Sequence, residues 1–144
     1  MSKSRLQIVT AILAAIPVAT GLISMSGIDD PLYSSAALPA NTLLDSNLRF
    51  FGGVWFALGI VMYWIIPKIE QQTSLFRALW GMIFAGGIGR IISILRLGLP
   101  PVPFVGSAWL EILGAPLLIL WQARVARTEN DRHPELRRGS AGQP

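Results

Sequence analysis

The sequence predicts an all-α membrane protein, a bundle of four transmembrane helices with both termini in the cytoplasm. Of its 144 residues, 52% are hydrophobic and only 14% are charged, whereas a soluble domain carries about 25% charged residues. The hydrophobic residues fall in four runs, each close to the length of a membrane-crossing helix. The basic residues lie beside alternate connections, as the positive-inside rule requires.

The bounds of the four spans follow from these runs. The first three are long enough to cross a ~30 Å hydrocarbon core at ~1.5 Å rise per residue, and the fourth is short for a crossing. Pro67 ends the second span, and three prolines between Gly98 and Gly106 predict an irregular connection before the fourth. Together the spans form a membrane domain over residues 1–123. They cover residues 6–25, 44–66, 75–97 and 107–122.

Charge predicts the orientation of the chain. The N-terminus, the second connection and the tail carry most of the lysines and arginines, while the first and third connections carry none. This pattern places both termini in the cytoplasm and favours a bacterial inner membrane. Residues 124–144 are predicted to form a basic, polar, disordered cytoplasmic tail. The first run also fits a secretory signal peptide, although it is long for one and no clear cleavage site follows it.

Composition argues against several classes of function. The chain has no cysteine, which excludes disulfides and thiolate sites, and its one histidine, His133, lies in the polar tail. We therefore expect no metal site and no cofactor. The glycines at 86–89 are not a nucleotide-binding fingerprint, since no strand precedes them. The basic residues mark span ends, so the expected partner is the lipid bilayer and not a nucleic acid.

Apart from Arg77 and Arg96 near the two ends of the third span, four ionisable residues lie within the predicted spans, in the outer half of the bundle. Asp45 and Arg49 are one helical turn apart on the second span, Arg90 lies about two turns inside the third, and Glu111 about one turn inside the fourth. Charge inside a bilayer needs a partner or water, and two arginines with two carboxylates are neutral. We predict that these residues form one cluster. The stripe of the fourth span facing it comprises Glu111, Ala115, Leu118 and Gln122.

Two interpretations of this cluster stay open. It is either a structural lock that holds the second, third and fourth spans together, or a ligand-binding site. In a site, the arginines would bind an anionic or carbonyl group bidentately. Asn47 points away from Asp45 and is placed to reach Thr20 or Ser24 on the first span. The candidate ligand-binding residues are Arg49, Arg90, Glu111, Asp45 and Asn47.

Three segments of the chain resemble the DUF4345 family of small, four-span bacterial membrane proteins of unknown function. The resemblance covers about residues 6–124, and its most specific features are Asn47 with Arg49 and Gly89 with Arg90. It implies the four-span topology and no particular activity. More distantly, the layout is similar to DoxX-like membrane proteins. The three segments are LDSNLRFFGGVWFALG at 44–59, FAGGIGRIISILRLGLPP at 84–101 and LEILGAPLL at 110–118.

The leading functional interpretation is a binding or accessory protein that holds a small amphiphilic molecule, such as a lipid or quinone-like compound, at Arg49, Arg90 and Glu111. A first alternative is a membrane enzyme on a hydrophobic substrate, with Glu111 or Asp45 as the candidate catalytic acid or base. A second is an assembly subunit that binds a second copy or another membrane protein. Small residues four apart would let such a partner helix approach closely. They are Gly81, Ala85, Gly89 and Ser93.

Overall fold

The computed structural model describes residues 2–132, and every regular element in that range is helical. A π-helical turn, Leu110–Gly114, joins the fourth α-helix to the fifth without a break. Short 3-10 helices lie at Gly27–Asp29, Pro31–Ala36 and Ile66–Lys68. The α-helices are α1 (Lys3–Ser24), α2 (Thr42–Ile65), α3 (Thr73–Leu97), α4 (Val102–Trp109) and α5 (Ala115–Arg132).

Four helical segments are long and apolar enough to cross a membrane, which confirms the predicted all-α fold with four spanning helices. Large apolar side chains are exposed along each of them, for example Ile12, Phe51, Ile92 and Leu117. A soluble protein would bury such side chains, whereas a membrane protein presents them to lipid. The chain is therefore a multi-pass membrane protein. The four segments are Lys3–Ser24, Thr42–Lys68, Thr73–Leu97 and Val102–Asp131.

The fourth span differs from its predicted bounds at both ends. Its helix begins at Val102, not at residue 107, because Pro103 lies in the first helical turn, where the missing N–H of proline has no helical partner to lose. The expectation that the prolines exclude helix up to Gly106 was wrong. At the other end the helix continues to Arg132, past the predicted boundary at residue 123. Residues 133–144 of the predicted tail lie outside the described residues.

The chain divides into two compact units, which we call the N-terminal unit (residues 7–67) and the C-terminal unit (residues 68–132 with the first few residues of the chain). The N-terminal unit contains most of α1 and all of α2. The C-terminal unit contains α3, α4, the π-helical turn and α5. Its core includes one stripe of α3, formed by Phe76, Leu79, Trp80, Ile83 and Gly87.

Glycine allows α1 and α2 to pack backbone against backbone in the N-terminal unit. A Cβ atom on Gly52 would lie 2.8 Å from the backbone nitrogen of Met25 and 2.8 Å from the carbonyl carbon of Ser24. A Cβ on Gly21 would lie 2.8 Å from the carbonyl oxygen of Gly52. Close approach at small residues is a common way for membrane helices to associate, since burial of apolar surface gives them no driving force in lipid.

Candidate ligand-binding site

Arg49 closes the first loop onto α2. Its Nε donates to Oδ2 of Asp45 at 2.7 Å, its Nη2 to Oδ1 of Asp45 at 3.2 Å, and its Nη1 to the carbonyl oxygen of Met25 at 2.9 Å. Oδ1 of Asp45 also accepts from the backbone N–H of Ile28 at 3.1 Å. We call Asp45, Arg49, Met25 and Ile28 the loop clasp. All three guanidinium nitrogens of Arg49 therefore donate hydrogen bonds to oxygen atoms of the protein.

The conformation of the first loop leaves room for the carboxylate of Asp45 and is held by its own hydrogen bonds. Gly27 has a φ of +74°, and a side chain there would also collide with the carboxylate of Asp45. Farther along, the Ser24 hydroxyl donates to Oδ2 of Asp30 at 2.6 Å, and the N–H of Leu32 donates to Oδ1 of Asp30 at 2.8 Å. Asp30 is buried. Because these contacts are local and satisfied, they indicate a structural role for the clasp.

Arg90 and Glu111 form a separate ion pair within the C-terminal unit. Nε of Arg90 donates to both carboxylate oxygens of Glu111, at 3.1 Å to Oε1 and 3.0 Å to Oε2. The ring centroid of Phe104 lies 5.7 Å from Cζ of Arg90, a distance typical of a cation–π contact. The Arg90 side chain is 39% exposed and that of Glu111 only 8%, so the arginine lies in front of its carboxylate.

The guanidinium of Arg90 differs from that of Arg49 because two of its nitrogens donate no hydrogen bond to the described residues. None of the described residues accepts a hydrogen bond from Nη1 or Nη2 of Arg90. These two nitrogens carry four N–H donors in a planar fork that matches the two oxygens of a carboxylate or phosphate. Inside a bilayer such donors need acceptors, because lipid tails supply none. The arrangement can therefore hold a ligand that carries oxygen acceptors.

Two local features bring Glu111 to Arg90. Glu111 lies in the π-helical turn, a form of helix that is often found at functional sites. Gly87 lets α3 approach that turn, since a Cβ on Gly87 would lie 2.8 Å from Cβ of Glu111. Sequence reasoning missed the turn. The signal that could have found it is Pro116, which has no N–H to donate to the carbonyl of Ile112.

The sequence predicted one cluster of four charges, and the structure shows two neutral pairs, one in each unit. That the pairs meet in a single cluster stays a prediction. Asn47 is exposed, and none of the described residues hydrogen-bonds its side chain. Its expected partners are engaged elsewhere, because the Thr20 hydroxyl accepts from the Trp55 indole at 2.9 Å and Ser24 binds Asp30. A ligand-binding role for Asn47 stays a prediction.

The two candidate catalytic residues, Asp45 and Glu111, are each held by one arginine. Within residues 2–132 no three acidic or histidine side chains are grouped closely enough to hold a metal ion. A role for Glu111 or Asp45 as a general acid or base stays a prediction. The chemistry that the arrangement supports directly is the binding of an acceptor-bearing group at Arg90.

Burial on the third and fourth spans separates the packing face from the ridge of small residues. The predicted inward stripe of the fourth span is confirmed, because all four of its residues are buried. The predicted ridge on α3 is exposed, and a Cβ on Gly81 or Gly89 would meet nothing within 4 Å among the described residues. Among the glycines of α3, Gly87 therefore makes the close contact with the fourth span, and Gly81 and Gly89 make none with the described residues. Its use by a partner helix stays a prediction.

Comparison with known proteins identifies a family but no activity. The family model described as a domain of unknown function, DUF4345, matches residues 5–122, which is most of the chain. This match confirms the family predicted from the three segments. No curated protein and no solved structure matches the chain.

Proposed function

The chain belongs to the DUF4345 family, and we propose that this membrane protein binds a small amphiphilic molecule through the open guanidinium fork of Arg90. The observation that carries the proposal is the contrast between its two paired arginines. Arg49 uses every guanidinium nitrogen within the loop clasp. Arg90 uses only Nε and is 39% exposed. The hydrogen bonds at Nε fix the orientation of the Arg90 guanidinium, while its two Nη nitrogens keep donors that a ligand can bind.

The chemistry around the fork defines the class of ligand. The head of the ligand carries two oxygens in one plane, as in a carboxylate, a phosphate or a phosphonate, and accepts two parallel hydrogen bonds. A carbonyl-bearing ring, as in a quinone, accepts one. The ligand also carries an apolar tail, because the side chains around Arg90 are apolar: Leu97 is exposed two turns farther along the same face of α3, and the ring of Phe104 lies 5.7 Å from Cζ of Arg90. Lipids and lipid-like acids combine both features.

Native mass spectrometry of protein extracted in a mild detergent tests this proposal. The wild-type protein is expected to carry a bound small molecule. Arg90→Ala removes it, and Arg90→Lys weakens binding by about tenfold or more, because lysine keeps the charge but lacks the planar fork. Arg96→Lys is the matched control, since Arg96 is an exposed arginine on the same helix.

Two results would contradict the proposal. One is a bound molecule that remains on Arg90→Ala or is lost equally from the Arg96→Lys control. The other is a wild-type protein that carries no added mass and takes up no alkylsulfonate added at micromolar concentration. Thermal unfolding in the same detergent shows whether each variant is folded, which separates loss of a site from loss of structure.

We also propose an orientation, with both termini in the cytoplasm of a bacterium and the first loop outside its inner membrane. The charge pattern supports this orientation, since Lys68 and Arg77 flank the second connection while the first loop carries Asp29 and Asp30 without a basic residue. In the outward-facing half of such a protein, Arg90 would meet lipids of the outer leaflet.

Single introduced cysteines test the orientation, because the chain has none of its own. Ser35 and Gln71 are exposed residues of the first and second connections. A membrane-impermeant maleimide added to intact cells with a permeable outer membrane is expected to label Ser35→Cys. It is expected to label Gln71→Cys only after the inner membrane is opened. The reverse pattern would contradict the proposed orientation.

A further inference from the structure

Glu111 lies behind Arg90, where a ligand on the fork senses its charge without touching it. Both of its carboxylate oxygens are on Nε of Arg90, and its side chain is 8% exposed. The fork opens on the other side of the guanidinium. A ligand held there and the carboxylate of Glu111 are thus bound to the same cation from two directions.

Arg90 is the one cation that contacts Glu111 among the described residues of the C-terminal unit. α4 carries no ionisable side chain. Arg96 lies more than one turn beyond Arg90 on α3, and the first ionisable residue of α5 is Arg124, about 20 Å along the helix from Glu111. The charge of the site is therefore set by Arg90, Glu111 and any bound ligand.

The charge sum changes when an anion binds. Arg90 and Glu111 are neutral together, so an anionic head on the fork leaves the site with a net charge of minus one, which a low-dielectric environment disfavours. Across a guanidinium the two anions are about 6 Å apart, and at an effective dielectric constant of about 20 their repulsion weakens binding by about a hundredfold. A proton on Glu111 removes that repulsion and restores neutrality.

We propose that Glu111 takes up a proton when an anionic head binds Arg90, so that the site binds one anion and one proton together. This inference rests on the proposed function and adds its regulation. A hydronium ion of the bulk water donates the proton: one of its O–H bonds breaks and leaves a water molecule, and the O–H bond of the carboxylic acid forms. Glu111 is then a positioning residue for Arg90 in the empty site and the proton acceptor in the occupied one.

Proton coupling predicts how affinity depends on pH. For a ligand whose own charge does not titrate, affinity rises as the pH falls, by up to tenfold per pH unit while one proton is taken up. Glu111→Gln mimics the protonated carboxyl group. It is expected to bind the anion up to about a hundredfold more tightly than the wild type at high pH. This sign is opposite to that expected if Glu111 held the ligand directly.

The experiment measures binding of decanesulfonate, a permanent anion, to the protein in lipid nanodiscs, with protein-free nanodiscs as the blank. Wild type, Glu111→Gln and Arg90→Lys are compared between about pH 5 and about pH 8, a range in which the coupling changes the wild-type Kd by up to about a hundredfold. The Kd of the wild type is expected to decrease as the pH is lowered. The Kd of Glu111→Gln is expected to be the same at every pH and equal to the wild-type value at low pH.

Failure of the coupling and failure of the site give different results. A wild-type Kd that is the same across the pH range, with Glu111→Gln binding no more tightly, overturns the coupling and leaves the site. Absence of binding by the wild type at every pH, or equal binding by Arg90→Lys, overturns the proposed function itself.

A second measurement keeps the proposal testable if Glu111→Gln does not fold. Infrared difference spectra of the wild type on addition of decanesulfonate at neutral pH are expected to gain the C=O band of a protonated carboxyl group. Binding without that band overturns the coupling.

Discussion

Replacing Gly52 with alanine is expected to destabilise the N-terminal unit by about 2–3 kcal/mol, toward the upper end of what overpacking costs. The added methyl group would lie 2.8 Å from backbone atoms of both Ser24 and Met25. Backbone atoms at the end of a helix cannot rotate aside as a side chain can, so α1 would have to move away from α2. Thermal unfolding in detergent measures the loss, and Gly52→Leu is expected to enlarge it.

Gly53→Ala is the matched control for this substitution. Gly53 is the next residue of the same helix, and a Cβ there would meet nothing within 4 Å among the described residues. Because alanine forms helix better than glycine, Gly53→Ala is expected to be neutral or stabilising by up to about 1 kcal/mol. Equal effects of the two substitutions would contradict the backbone contact between α1 and α2.

Replacing Gly87 with alanine is expected to destabilise the C-terminal unit by about 1–3 kcal/mol and to disturb the ion pair at Arg90. The added methyl group would lie 2.8 Å from Cβ of Glu111 and 3.1 Å from side-chain atoms of Ile112. Cβ of Glu111 is fixed to the π-helical turn, so either that turn or α3 must shift. The bound ligand is therefore expected to weaken along with the stability, measured by native mass spectrometry and thermal unfolding.

Gly89→Ala separates this effect from a general intolerance of α3 to larger residues. Gly89 is exposed, and an added Cβ has no described neighbour within 4 Å. In a monomer it is expected to be neutral or slightly stabilising. A large loss of stability at Gly89 with none at Gly87 would place the contact face of α3 on the ridge of small residues and contradict packing through Gly87.

The hydropathy of the chain and the residues at its helix ends made most of the fold predictable. Four long apolar runs allow little else than four spanning helices, and the ends of the first three agree with the structure to within three residues. Asn41 is of a residue type that favours the N-cap position, and its side chain accepts from the N–H groups of Leu43 and Leu44 at the start of α2. Pro103 shows the limit, because proline is compatible with the first turn of a helix and forbids only its interior.

The pairing of charges was only partly predictable. The spacing of Asp45 and Arg49 places them on one helix face, and they pair. The partner of Arg90 depends on how α3 packs against the π-helical turn. Counting residues along the spans predicted only how deep Arg90 and Glu111 lie in the membrane. Which arginine is saturated and which is open depends on the carbonyl of Met25 and on the π-helical turn, and neither is visible as a residue pattern.

The packing face of α3 could not be predicted from hydropathy. In lipid, apolar side chains face both the protein and the membrane, so the contrast that marks the inner face of a soluble helix is lost. A spacing of four selected Gly81 and Gly89, whereas the structure packs α3 through Phe76, Trp80 and Gly87. The ridge and the contact stripe share one helix and differ only in phase.

Side-chain nitrogen-15 NMR of arginine is the most direct test of the central claim, that the fork of Arg90 is open to a ligand and that of Arg49 is closed. The labelled protein in nanodiscs is compared with and without decanesulfonate, and Arg90→Lys and Arg49→Lys assign the two side chains. The Nη resonances of Arg90 are expected to shift on ligand addition, its Nε resonance less so, and those of Arg49 not at all. Unchanged Arg90 resonances, or equal shifts at Arg49, would contradict the claim and leave both pairs as structural contacts.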